Sequence, residues 1–456
     1  MKKSVTRFAA ILALFSSLFI SCSGEKGAAA QKASEKTVYP AGTVIIYGHG
    51  QPQYLKQYFD AWLERNRDIA PEVSIEIVQT KGAAASREKI TMTYLAGAYA
   101  DLPDAVYLDP VNLMDLAKGN IVKDETDFVQ PFISQLVDGA VNDAKYKGRI
   151  YGLPESVRPQ VLFYNKAVFD KYGVDPAQMS TMDGYIEAGR KLKAKSGGKV
   201  YLSYIDPGSL TWRYWGRRGL MPQANARIWD NDGNIVIGND EGTKLAFGTL
   251  DTMNKEGLLL KSAIMQPALY DAMRRGEVAT FYIGAFWDEF IRKNVTETSG
   301  QWRVMTAPVF ASIGKAGAPV ASYFAVINKP EGKYTGLVEK LWKDFHFDNE
   351  PRKEWVNKMV AQNAPYANPI SLEMLKDPFW KEAAEFYGGQ SFREMEGKGL
   401  ENSSTNLIVT PQDAEADKII SAELEKYVAG NQSMPQAIAN MNKNLKSKIG
   451  KAEIAR

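Results

Sequence analysis

Between residues 43 and 108 the chain alternates short apolar runs with longer amphipathic ones, and that order leaves few folds open. Val44-Ile45-Ile46-Tyr47 reads as a buried strand that ends in the loop Gly48-His49-Gly50. Pro52 suits the first turn of a helix, and Tyr54, Leu55, Tyr58, Phe59, Trp62 and Leu63 then recur on one helical face. Val73, Ile75 and Ile77 alternate with Ser74 and Glu76 as a second strand. A helical stretch around residues 90–98 leads to a third strand at residues 105–108. Strand–helix–strand–helix–strand predicts a parallel sheet with right-handed crossovers, an α/β fold. Ligands of such sheets sit beyond the carboxyl ends of the strands, which puts His49 and Asp109 on one rim.

Further along, residues 148–154 read as a hairpin return, and Val161-Leu162-Phe163-Tyr164-Asn165 reads as a strand running into a helix near Lys166. Apolar residues flank Asp230-Asn231-Asp232-Gly233-Asn234. A calcium loop counted from Asp230 would need glycine at its sixth position, where Ile235 stands, so an Asp-Gly hairpin turn is expected instead. Residues 279–283 and 321–327 read as strands. Helical periods run through Leu337, Leu341, Trp342 and Phe345, through Ile419, Ile420, Leu424 and Tyr427, and through Ala437, Ile438, Met441 and Leu445. No repeat is present.

Lys2, Lys3 and Arg7 precede an apolar run over residues 8–20, closed by Ser21 and Cys22, the single cysteine. The run is shorter than the roughly 20 residues of a membrane-spanning helix. It has the layout of a secretory signal ending at a lipidated cysteine, although bulky Phe19 and Ile20 depart from the usual cleavage consensus. We therefore expect residues 1–21 to be a signal peptide, Cys22 to carry lipid, and residues 22–42 to be a flexible polar tether. The three positive charges before Cys22 equal the formal net charge of +3, so the remaining chain is formally neutral. That argues against nucleic acid as a partner. The 45% hydrophobic content supports packed cores.

Several enzyme classes lack their motifs. The phosphate loop is absent, and Gly389-Gln390-Ser391-Phe392-Arg393 misses the nucleophile-elbow pattern at its last position. With only two histidines, His49 and His346, no zinc site or other metal site is expected, and no cofactor. His346 reads as a partly buried surface residue. Abundant carboxylates leave a two-carboxylate glycosidase open.

Residues 150–155, Ile-Tyr-Gly-Leu-Pro-Glu, and residues 162–169, Leu-Phe-Tyr-Asn-Lys-Ala-Val-Phe, resemble a signature of the family 1 extracellular solute-binding proteins. These are maltose-binding-protein-like receptors of ABC importers. Tyr172-Gly173-Val174-Asp175-Pro176, Leu102-Pro103-Asp104-Ala105-Val106, Gly276-Glu277-Val278-Ala279-Thr280 with Gly284-Ala285-Phe286-Trp287, and Ser433-Met434-Pro435-Gln436-Ala437 follow that family's landmarks in order. The resemblance implies a two-lobed periplasmic-binding-protein fold of type II, hinged by crossing segments, with a ligand cleft between the lobes. Lobe 1 is expected over residues 43–154 plus about 322–361, and lobe 2 over residues 155–320 plus about 362–450. A carbohydrate, in particular an oligosaccharide, is the implied ligand, and ABC permease subunits are the implied membrane partner. The resemblance further implies a monomeric, non-enzymatic protein anchored by lipid in the bacterial envelope, in the periplasm or on the outer face of the cytoplasmic membrane. A surface glycan hydrolase and a non-transport sensor or adhesin are the alternatives.

A sugar offers hydroxyls around its rim and apolar C–H faces, so its pocket needs charged or amide groups together with aromatic platforms. Arg158 and Glu155 lie in the crossing segment where the family presents charged ligand contacts. His49 and Asp109 occupy the rim loops, Phe286 and Trp287 follow the Gly284 turn where a stacking ring is expected, and Tyr323 lies where the chain crosses back. Trp215 belongs to the aromatic and basic stretch at residues 211–218, a helix that serves either the core or the cleft floor. Were its arginines to face the cleft, an acidic sugar would be a plausible ligand.

Overall fold

A computed structural model describes residues 37–454. The expectations for the signal peptide, for Cys22 and for most of the tether fall outside those residues.

In chain order the strands are β1 (Gly42–Gly48), β2 (Val73–Gln79), β3 (Ala105–Leu108), β4 (Lys145–Tyr146), β5 (Arg149–Ile150), β6 (Leu153–Arg158), β7 (Gln160–Asn165), β8 (Ser203–Ile205), β9 (Leu259–Lys261), β10 (Thr280–Gly284), β11 (Trp302–Thr306) and β12 (Val320–Val326). One five-stranded sheet has the order β2-β1-β3-β12-β6. Its β1 pairs in parallel with β2 and β3, as the alternation predicts, and Val44 lies opposite Ile75. Helix Pro52–Arg65 makes the first crossover and buries Tyr58, Phe59, Trp62 and Leu63 against the sheet. Burying one side chain of that size contributes about 1.5–3 kcal/mol, so this stripe fixes the crossover better than any propensity. The second crossover helix, Ala83–Leu95, begins and ends earlier than its sequence pattern suggests.

β12 and β6 are different in kind. β12 runs antiparallel to both β3 and β6, which leaves β6 at the edge of the sheet. β6 ends at Arg158, Pro159 interrupts the ladder, and β7 continues into a separate antiparallel sheet of order β10-β7-β11. Proline lacks the N–H that a continuing ladder would use, so the chain changes sheets there. Two hydrophobic cores result. One draws on residues 44–157 and 321–380, the other on residues 161–316 and 386–452.

Three local readings change. Residues 364–380 were expected with the second lobe, yet Ala364, Tyr366, Ile370, Met374, Phe379 and Trp380 pack in the first core. They have no helical period to betray them, because they form loops and short turns. The end of the expected tether is already docked: the Tyr39 N–H donates to Ile69 O at 2.7 Å, and Tyr334 Oη donates to Ala41 O at 3.1 Å. His346, read as a surface residue, is fully buried between Trp342 and Phe345, with ring centroids 5.5 and 4.9 Å away. The Asp230 turn forms as expected, with Asp230 Oδ1 accepting from the N–H groups of Asp232 and Asn234.

Candidate functional site

The first lobe presents the strand ends of β1 and β3 and the crossing strand β6. Asp109 caps helix Pro110–Lys118 by accepting the Asn112 N–H at 3.0 Å, which fixes its carboxylate at the rim. The same carboxylate meets Arg213 of the second lobe at 3.5 Å, an ion pair across the cleft. Burial pushes the Asp109 carboxyl up, but Arg213, the two Asn112 donors and His49 outweigh it and hold it below its ordinary value. The His49 ring lies 5.0 Å from that of Tyr107. Burial lowers its proton affinity more than neighbouring Asp109 restores it, and its Nδ1 is buried without a protein partner. Glu155, 8% exposed, accepts from Tyr107 Oη at 3.3 Å.

Two elements build the second wall. The first is a π-helix, Thr211–Leu220, wound widely enough to send its arginines in different directions. Arg217 turns inward to Asp413 and, at 2.8 Å, to Asp417, which also accepts Trp212 Nε1 at 2.7 Å. Arg218 reaches Asp143 of the first lobe at 3.0 Å and the Pro319 carbonyl at 2.9 Å. Arg213 and Tyr214 face the cleft. Gly216 is required here, because a Cβ would lie 2.3 Å from the Trp212 ring.

The second element is helix Trp287–Asn294, which follows the end of β10. A Cβ on Gly284 would meet the Phe286 ring at 2.8 Å, so the glycine lets that ring fold back against the strand end. Phe286 is half-buried and lies 5.5 Å from Tyr214 and 6.2 Å from Phe290, forming an aromatic platform. Glu289 stands one helical position from that platform. Burial pushes its carboxyl up to about 7, against the pull of Arg158 and Arg292 and with the push of Asp288 and Glu155. No described residue gives this carboxylate a hydrogen bond or an ion pair.

His49 and Glu155 thus meet through Tyr107, and Asp109 is joined by its pair with Arg213 to the element whose Tyr214 packs on Phe286. Four other expectations are corrected. Arg158 is committed to protein: Nε donates to Glu396, and its terminal nitrogens donate to Tyr366 O and Ala285 O, each at 3.0 Å. Trp215 is fully buried and donates to Tyr204 O at 3.1 Å, so it belongs to the core. Trp287 is also fully buried, with its ring stacked on Tyr270 and Phe290, and the platform role falls to Phe286. Tyr323 donates to Ala140 O at 3.1 Å, deep in the first lobe. Sequence reasoning passed over Glu289, Tyr214 and Phe290. An acid in the first turn of a short amphipathic helix is ordinary in sequence, and only the folded neighbours single it out. Among the described residues no cluster of His, Cys, Asp and Glu could hold a metal ion.

Residues 48–333 match the family described as bacterial extracellular solute-binding protein. The arabinooligosaccharide-binding protein of Bacillus subtilis (strain 168) is 22% identical over 398 residues, 81% of this chain and 85% of that protein. Among solved structures, the ABC transporter associated binding protein from B. animalis subsp. lactis Bl-04, in complex with β-1,6-galactobiose, superposes with a TM-score of 0.73 at 19% identity. It covers 90% of this chain and 97% of that one. The maltose-bound MalE3 of T. maritima superposes with a TM-score of 0.69 at 17% identity over 89% of this chain and 99% of that one. The fold is thus the two-lobed periplasmic-binding-protein fold of type II.

Proposed function

We propose, from the premise that this chain belongs to the bacterial extracellular solute-binding protein family, that it is the carbohydrate-binding subunit of an ABC importer. One observation carries this reading: the interlobe space combines half-buried aromatic faces, Tyr214, Phe286 and Phe290, with a carboxylate, Glu289, that no described residue satisfies. Aromatic faces match sugar C–H faces, and an open acceptor matches sugar hydroxyls. The named ligands of the relatives, arabinooligosaccharide and β-1,6-galactobiose, belong to the same chemical class.

The mechanism is a population shift. Arg213–Asp109 and Arg218–Asp143 join the walls of the cleft, and a sugar touching both walls adds its contacts only to the closed arrangement. Closure then follows from the ligand's differential affinity for that state. The closed, loaded form is what a membrane permease would receive, and no step changes the sugar. In this reading the lobes correspond to the two cores, Cys22 carries the lipid, residues beyond it form the tether, and the protein acts as a monomer in the cell envelope.

A melting panel of mono-, di- and oligosaccharides tests the reading. A sugar at 100 times its Kd stabilises by about 2.7 kcal/mol. We expect at least one oligosaccharide to raise Tm and to be recovered intact after prolonged incubation. Cleaved sugar would replace the binding role with a hydrolytic one. For the anchor, Cys22→Ala should release the protein from membranes, and continued membrane partition would refute lipidation.

A further inference from the structure

The arginines near the platform each have a carboxylate of their own, while Lys293, one turn beyond Glu289, donates to Gln51 and lies over the Tyr54 ring. Arg158 is paired with Glu396, Arg292 with Asp288 at 2.9 Å, and Arg213 with Asp109 at 3.5 Å. Arg217 and Arg218 are likewise committed, to Asp413, Asp417 and Asp143. Glu289 is left without a hydrogen bond or ion pair from any described residue. The groups around it are Glu155 and Arg158 from β6, Asp288, Arg292 and, one turn on, Lys293 from its own helix, Tyr107 from β3, Tyr214 from the π-helix, and Tyr270 from helix Pro267–Arg274. None of them hydrogen-bonds its carboxylate.

We propose that Glu289 sets the charge class of the ligand, so that the cleft takes glycans offering uncharged hydroxyl donors and rejects glycans carrying a carboxylate. The inference rests on the carbohydrate reading above and narrows it. An ionised carboxylate only accepts hydrogen bonds, so a sugar hydroxyl completes it, whereas a uronate brings a second acceptor of the same charge. Where a bound sugar displaces water from Glu289, that repulsion is stronger than in solution. An acidic ligand would otherwise look to Arg213 or Lys293, but Asp109 holds the first, and Gln51 with the Tyr54 ring holds the second. With the Glu289 carboxyl poised at about 7, hydroxyl binding favours the ionised form, so affinity for neutral glycans rises with pH across neutrality.

Calorimetric titration at about pH 6 and about pH 8 tests this with arabinotriose, lactose, β-1,6-galactobiose and digalacturonate, on the wild type and on Glu289→Gln. We expect a neutral glycan to bind the wild type more tightly at the higher pH, with digalacturonate at least about tenfold weaker. Glu289→Gln should weaken the neutral glycan about tenfold, flatten its pH profile and narrow the gap to digalacturonate, because the amide donates as well as accepts. An apo Tm no lower than that of the wild type will show that the variant is folded. The proposal is overturned if digalacturonate binds the wild type as tightly as the best neutral glycan, or if Glu289→Gln keeps both affinity and pH profile. If no glycan binds at either pH, the carbohydrate reading falls first and takes this inference with it.

Discussion

The two walls of the cleft are finished to different degrees. On the first, Asp109 caps a helix and pairs with Arg213, and Glu155 takes the Tyr107 hydroxyl, which leaves His49 Nδ1 as the one of these groups without a protein partner among the described residues. On the second, Phe286 and Phe290 stand half-buried and Glu289 has neither hydrogen bond nor ion pair from the described residues. A satisfied wall positions what approaches it, while the half-buried Glu289 gains most from a ligand, since closing the cleft over it without a partner would be costly. The first wall therefore frames the cleft and the second reads the sugar.

Breaking the frame should cost fold stability first. Arg158→Ala strands Glu396 as a buried, unpaired carboxylate, and we expect a loss of about 3–5 kcal/mol in urea unfolding. A variant of normal stability but lost sugar binding would return Arg158 to the ligand. Trp287→Ala should likewise cost about 3–5 kcal/mol, because it empties a fully buried, stacked site.

Phe286→Ala sharpens the contrast between neighbouring rings. It should leave unfolding nearly unchanged while weakening sugar binding about tenfold, or about 1.4 kcal/mol. Equal loss of stability in the two variants would erase the distinction between platform and core.

How much of this was legible in the sequence follows from the range of each interaction. The first lobe's β1–β3 unit declared itself because alternation and helical period are local signals, and Tyr58, Phe59, Trp62 and Leu63 face inward as their spacing requires. The rim positions of His49 and Asp109 follow from strand order alone. Arg158 is open in sequence between ligand contact and a pair with a carboxylate of the protein such as Glu155, and the partner it takes, Glu396, lies 238 residues away with nothing local to announce it. The same holds for Glu289, whose only distinction is that its neighbours are already paired with others. Residues 364–380 carry no period, so their return to the first core could not be read from pattern.

The smallest expected effect concerns the bridge between the walls. Asp109→Asn keeps the helix cap but removes the charge that meets Arg213, and with Arg213 53% exposed the loss should be under about 1 kcal/mol. The Asp109 carboxyl is held below its ordinary 3.8, so its contribution is complete above that value and fades as pH falls through the lowered one. Melting curves of wild type and variant should therefore converge in acid. A gap that persists or widens there would place the effect elsewhere.

The most direct test of the division between walls is a crystal structure of the protein with arabinotriose bound. The account predicts a pentose ring over Phe286 and Tyr214, with a hydroxyl within hydrogen-bond distance of Glu289 and the Arg158–Glu396 pair unbroken. A sugar held by Arg158 with Glu289 left unoccupied, or one bound outside the cleft, would contradict it.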